Sequence, residues 1–130
     1  MSGTGDPRRV LLLSADLMVS SRLAAQPGVA VTTDPDAAPF DAVLVDLGGS
    51  TPAAERVRVA RAIADRAGRG GAAPVIAFGP HVARDRLTEA AAAGADRVAS
   101  RGEALGALPA LLAATLADHD ARRRPTPSSH

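Results

Sequence analysis

At 130 residues the chain has the length of one domain, and its 46% hydrophobic content is enough for a core built of Ala, Val and Leu, since there are two Phe and no Trp or Tyr. The absence of cysteine excludes disulfides and thiolate metal sites. The formal net charge of +1, with every basic residue an arginine and no basic stripe interleaved with aromatics, argues against a nucleic-acid partner.

Met1 to Arg8 is a polar lead-in containing Gly, Pro and Ser, expected to be flexible. Arg9 to Ser14 reads as a first strand, and Asp16 stands where a helix N-cap is wanted. Val19 and Leu23 follow at helical spacing, and Pro27-Gly28 ends that helix. Val29 to Thr32 is a brief second strand and Ala42 to Asp46 a third. Between them lie only Thr33 to Phe40, with two prolines, too short for a crossover helix of about 10 residues. A turn is expected there, leaving one sheet face thinly covered beside the second strand.

Thr51-Pro52 opens the next helix, with Thr51 as the expected cap and Pro52 at the first helical position. Its inward stripe is read as Val59, Ile63 and Ala67, with Arg56, Arg58, Arg61, Asp65 and Arg66 outward. Gly68 to Gly71 is a turn, Val75 to Phe78 a fourth strand, and Gly79-Pro80 its end. Val82 to Ala93 reads as a helix with Leu87, Ala90 and Ala91 inward and Gly94 as its left-handed stop. Arg97 to Ala99 is a fifth strand. Ser100-Arg-Gly-Glu103 matches a capping box and predicts a turn of helix from Ser100. Leu105, Leu108, Leu112 and Leu116 continue at helical spacing. Pro109 requires either a fresh helix start near Gly106 or a kink. Residues 9–117 are thus taken as the domain, and 118–130, with Arg122-Arg-Arg124 and Pro-Thr-Pro-Ser-Ser, as a disordered tail.

Strands alternating with helices predict an α/β fold with a parallel sheet. In such sheets the loops after the strands' carboxyl ends converge on the functional crevice. Asp16 and Asp46, each closing an apolar run, should therefore lie near each other.

From Arg9 to about Leu116 the chain resembles the receiver (CheY-like) domain of two-component signalling. The resemblance rests on the strand–loop pattern, on Asp41-Ala-Val-Leu-Val-Asp46-Leu, on Pro74-Val-Ile-Ala77 and on Ala93-Gly-Ala-Asp96. Gly79-Pro-His-Val82 with Leu108-Pro-Ala-Leu-Leu112 is similar to a subset of small, stand-alone, atypical members. The resemblance implies a flavodoxin-like, doubly wound five-stranded sheet in the order 2-1-3-4-5, here with the helix between strands 2 and 3 shortened or missing. It implies a phospho-acceptor role for Asp46. It also shows departures around that residue. The family's acid pair falls on Ser14 and Ala15, with Asp16 one place later. Its hydroxyl falls on Gly79, its lysine on Arg101 and its aromatic on Val98.

Phosphoryl transfer to an aspartate needs a Mg²⁺ held by oxygen ligands, and Ala15 offers none. The expected reading is therefore a degenerate, non-enzymatic regulatory or protein-interaction module without a cofactor. Asp46 would be a vestigial acceptor, rimmed by Ser14, Ala15, Asp16, Gly79 and Arg101, with no metal ligands and no catalytic residues. Its partner would be another signalling protein or a second copy, docking on the last helices and the fifth strand. A working response regulator that accepts phosphate on Asp46 with Mg²⁺ is the first alternative. A flavodoxin-like small-molecule or anion binder, using Gly48-Gly49-Ser50-Thr51 at a helix N-terminus, is the second. His81 lacks a companion at metal-ligand spacing. Gly68 to Gly71 lacks a dinucleotide-loop context, and no Gly-x-Ser-x-Gly is present. The only early apolar run, Val10 to Leu13, falls short of the ~7–15 residues of a signal peptide and the ~20 of a membrane span, so a cytoplasmic protein is expected.

Overall fold

The structure, a computed structural model, describes residues 7–49, 51–69, 72–80 and 84–123. In chain order its elements are β1 (Arg8–Leu13), α1 (Leu17–Ala24), β2 (Val29–Thr32), β3 (Ala42–Asp46), α2 (Ala53–Ala67), β4 (Val75–Gly79), α3 (Arg84–Ala92), β5 (Arg97–Ser100), α4 (Arg101–Gly106) and α5 (Leu108–Arg123). The strands form one parallel sheet in the order β2-β1-β3-β4-β5. Strands β3 and β4 are buried along their whole length, as their unbroken apolar runs require of central strands covered on both faces. Side chains alternate across the sheet. Leu12, Leu44, Ile76 and Phe78 pack against Val19 and Leu23 of α1 and Ala104, Leu108 and Leu112 of α4 and α5. Leu11, Val43, Val45 and Ala77 pack against Val57, Ala60 and Ala64 of α2 and Ala90 of α3.

The short connection from β2 to β3 forms no helix, as its length predicts. Asp34 folds it into a turn by accepting from the backbone N–H of Asp36 (2.9 Å). It is fastened to β1 and to the carboxyl end of α2. Arg9 Nη2 donates to the Ala37 carbonyl (2.6 Å). Phe40, fully buried, donates its N–H to the Ala67 carbonyl (2.9 Å) and accepts from the Arg69 N–H (2.8 Å). On the face that a crossover helix would cover, a cleft of about 320 Å³ lies beside α2, lined by Leu13, Val45, Thr51, Glu55, Arg56 and Val59.

Several expectations are corrected. The buried stripe of α2 is Ala53, Val57, Ala60, Ile63 and Ala64, and Val59 is 53% exposed. Alanine at 60 and 64 lets α2 lie close on the sheet, and that rotation turns Val59 toward the open cleft. Thr51 does not cap α2. The N-cap is Pro52, which has no side-chain acceptor, and the open N–H of Ala54 is met by Glu89 Oε2 from α3 at 2.9 Å. Arg86 Nη2 holds the Thr51 carbonyl (2.8 Å). Ala91 is exposed, while Ala90 alone of α3 is fully buried.

At the carboxyl end the structure takes the fresh helix start and not the kink at Pro109. Ser100 accepts from the Glu103 N–H (3.1 Å) and caps a six-residue α4. The chain breaks at Ala107 (φ −141°) and restarts at Leu108, so Pro109 lies in the first turn of α5, where its missing N–H is no loss. Helix α5 then continues past the expected boundary at 117 to Arg123. It is anchored there by an Arg97–Asp118 ion pair and by His119 Nε2, 2.9 Å from the Ala72 carbonyl. The ends expected to be flexible or disordered fall in part outside the described residues, as do Ser50, Gly70-Gly71, His81 and Val82.

Phe40 replaces a helix as the lid anchor of this connection. Phe40→Ala should lower unfolding free energy in urea by about 3–5 kcal/mol, the usual cost of a buried aromatic truncation. A loss below about 1 kcal/mol would show that the connection is not fastened through this ring.

Candidate functional site

The register of the sheet builds the site. Leu13 pairs with Val45, so the residues that follow, Ser14 and Asp46, meet at the carboxyl end of the sheet. Asp46 closes β3 and is 4% exposed. A carboxylate so placed must find donors, and it finds them in the chain itself. Oδ2 accepts from the Ser14 hydroxyl (2.7 Å), and Oδ1 from the backbone N–H of Gly48 (2.9 Å). Ser14 Oγ also accepts from the Asp16 N–H (3.1 Å), so one hydroxyl holds both acids in place.

Asp16 is the N-cap of α1. Its Oδ1 accepts from the N–H groups of Met18 (2.9 Å) and Val19 (3.4 Å). Arg101 is the first residue of α4 and reaches back between the two acids. Its Nη2 lies 3.7 Å from Asp46 Oδ1 and its Nη1 3.9 Å from Asp16 Oδ2. Those distances give Coulombic attraction without a hydrogen bond. Gly48 leaves room for this approach. A Cβ there would stand 3.2 Å from Asp46 Oδ1 and 3.3 Å from Arg101 Nη2.

The sequence reading placed Arg56 outward, and the structure does not. Arg56 is half-buried and donates from Nη2 to the Leu13 carbonyl (3.2 Å). With Ala15, Asp16, Asp46, Gly48, Gly49 and Arg101 it lines a cavity of about 290 Å³. The available signal was spacing. Arg56 stands three residues after Ala53 and four before Ala60, both fully buried, and so flanks the inward stripe of α2.

Of the remaining rim positions, Ala15 presents only a methyl group to the cavity. Gly79 ends β4 opposite Ser100. A Cβ there would meet Leu47 Cβ at 3.4 Å and Leu87 Cδ2 at 3.8 Å, ordinary van der Waals contacts. Val98 is half-buried and aliphatic.

This donor set does not fit a divalent cation. Mg²⁺ demands near-octahedral oxygen ligands at about 2.0–2.1 Å. Both Asp46 oxygens are engaged by Ser14 and Gly48, Asp16 Oδ1 is engaged by α1, and the Arg101 guanidinium already stands within 4 Å of both acids. Among the described residues no group of three or more His, Cys, Asp or Glu is placed to hold a metal ion.

Solved structures similar to this chain include response-regulator receivers. A response regulator from Thermotoga maritima superposes with a TM-score of 0.63 at 15% identity, over 85% of this chain and 98% of that one. A response regulator receiver protein from Burkholderia phymatum gives 0.59 at 26% identity, over 85% and 95%. A LuxR-family two-component response regulator from an Aurantimonas species gives 0.60 at 22% identity, over 86% of each chain. No protein-family model matches the chain, and no curated protein does. The chain has the CheY-like receiver fold.

Ser14 joins Asp46 to Asp16, so Ser14→Ala should leave a buried carboxylate oxygen without its donor. The expected loss is about 1–3 kcal/mol of unfolding free energy. A Ser14→Ala protein as stable as the parent would show that water replaces the hydroxyl freely.

Proposed function

We propose that the chain is a receiver-like regulatory module that acts through protein contact and does not cycle through a Mg²⁺-dependent aspartyl phosphate. One observation carries the reading: the carboxylate of Asp46 is engaged by Ser14, Gly48 and Arg101 of its own chain. A phospho-acceptor must offer a free oxygen to the incoming phosphorus, with a cation to neutralise the charge that develops. Here the oxygens accept hydrogen bonds and the nearby cation is a guanidinium. Arginine holds its charge permanently and in a planar fork, unlike the compact ammonium of lysine. Arg101 thus acts as the structural partner of Asp46 and Asp16.

The partner is a second protein, a signalling protein or another copy of this chain, meeting the face formed by β5, α4 and α5. The expected location is the cytoplasm; among the described residues no helix is long and apolar enough to cross a membrane. The receiver fold of the structural neighbours supports a signalling role. A working receiver is the competing reading, favoured by the position of Asp46 at the strand end on an open cavity.

The two readings separate in one experiment. The protein is incubated with Mg²⁺ and a small phosphoryl donor such as acetyl phosphate, and its intact mass is measured. The mass should not change. An added phosphoryl group that disappears in Asp46→Asn would establish the working receiver instead.

A further inference from the structure

We propose that a second copy of this chain docks on the face that the short β2–β3 connection leaves open. The dimer is two-fold, with the exposed side of α2 packed antiparallel against α2 of the other copy. This face is distinct from the one formed by β5, α4 and α5, to which the regulatory reading assigns its partner.

A parallel sheet is covered by helices on both faces. Here the β2–β3 connection supplies none, and the cleft of about 320 Å³ lies open beside α2. Glu55 and Val59 line that cleft, and Val59 is the one large apolar side chain that α2 leaves exposed. Both belong to a stripe that continues along the helix to Ala62 and Arg66, all four exposed. Their 4-3-4 spacing is that of residues through which one helix meets another. At Ala62 the stripe carries only a methyl group, which lets a second helix come close.

The charges along the stripe identify its occupant. Glu55 stands in the first turn of α2 and Arg66 in the last. Among the described residues neither they nor Arg58 forms an ion pair. Laid antiparallel on a copy of itself, with the two-fold axis between Ala60 and Arg61, the helix sets Glu55 against Arg66 and Val59 against Ala62. Each contact occurs twice, as a two-fold interface requires. On one flank Arg58 of each copy comes beside Asp65 of the other. Both are exposed, and Asp65 uses only Oδ1 on Arg61. A parallel pairing would set Glu55, Arg58 and Arg66 each against its own equivalent, like charge on like. The stripe is therefore complementary to itself in one orientation alone. These exposed pairs fix orientation and register more than they add affinity. One face of a 15-residue helix is a small interface, so the dimer is weak, with a Kd on the order of 10–100 µM.

The test is sedimentation equilibrium of the full chain from about 10 µM to about 1 mM, a range that spans such an affinity. The molar mass should rise toward twice that of the chain. Glu55→Arg and Arg66→Glu should each weaken association about tenfold, since each creates two like-charge pairs. Both substitutions in one chain restore opposite charges and should restore the dimer. Mixing the two single variants should give a heterodimer tighter than either variant's homodimer. That rescue keeps the test decisive, because a folding defect would not be repaired by a second exposed substitution or by mixing. Glu103→Arg on the exposed side of α4 should leave association unchanged. A chain still monomeric at about 1 mM would overturn the proposal. So would a dimer that Glu55→Arg leaves intact, or losses that neither the double substitution nor mixing repairs. A dimer broken only by Glu103→Arg would place the second copy on the β5, α4 and α5 face. That result overturns this inference and leaves the regulatory reading standing, whereas a phosphoryl adduct on Asp46 removes that reading and leaves the dimer untouched.

Discussion

A carboxylate buried at the end of a central strand loses its hydration, and the chain around Asp46 is arranged to replace it. The replacements come from three separate segments: the Ser14 hydroxyl after β1, the Gly48 N–H after β3, and the Arg101 guanidinium at the start of α4. The sheet register sets the first of these, since pairing Leu13 with Val45 leaves Ser14 beside Asp46. A capped helix start at Ser100 sets the third. One charge therefore fixes three loops relative to one another. An unpaired buried charge is strongly destabilising, so the Ser14 and Gly48 donors and the Arg101 charge each have a stabilising part.

The opposite end of the sheet solves a similar problem in a different way. Asp96 accepts from the Val75 N–H (2.7 Å) and from Arg61 Nη1 (2.7 Å), while Arg61 also bonds Asp65 and the Ala73 carbonyl. There the arginine's donors are matched by acceptors in the fold. At the carboxyl end Arg56, Arg86 and Arg101 each keep a buried Nε unpartnered. Open parallel sheets bind their ligands at the carboxyl end of the strands.

Local chemistry was legible in the sequence. The cap at Asp16, the capping box at Ser100, the stop at Gly94 and the connection too short for a helix each depend on residues within one turn of chain. The convergence of Asp16 and Asp46 was legible as well, because parallel topology brings strand ends together, and the resemblance placed Arg101 beside them. Features that depend on packing between distant elements were not. Glu89 caps α2 from α3, and Arg97 holds Asp118 and so extends α5. Neither leaves a local trace. The inward face of α2 was misread because large aliphatics were favoured over Ala60 and Ala64, although small side chains let a helix approach a sheet. Placing Arg56 outward followed from the same error.

The central claim is that Arg101 stabilises the buried Asp46 as a partner in the folded chain. A double-mutant cycle with Asp46→Asn, Arg101→Gln and the pair, read by chemical denaturation, tests it most directly. Arg101 is partly exposed, which weakens the interaction below that of a fully buried pair. The account predicts a coupling of about 1–2 kcal/mol, with the double variant losing less than the sum of the single losses. Losses additive to within about 0.3–0.5 kcal/mol would contradict it.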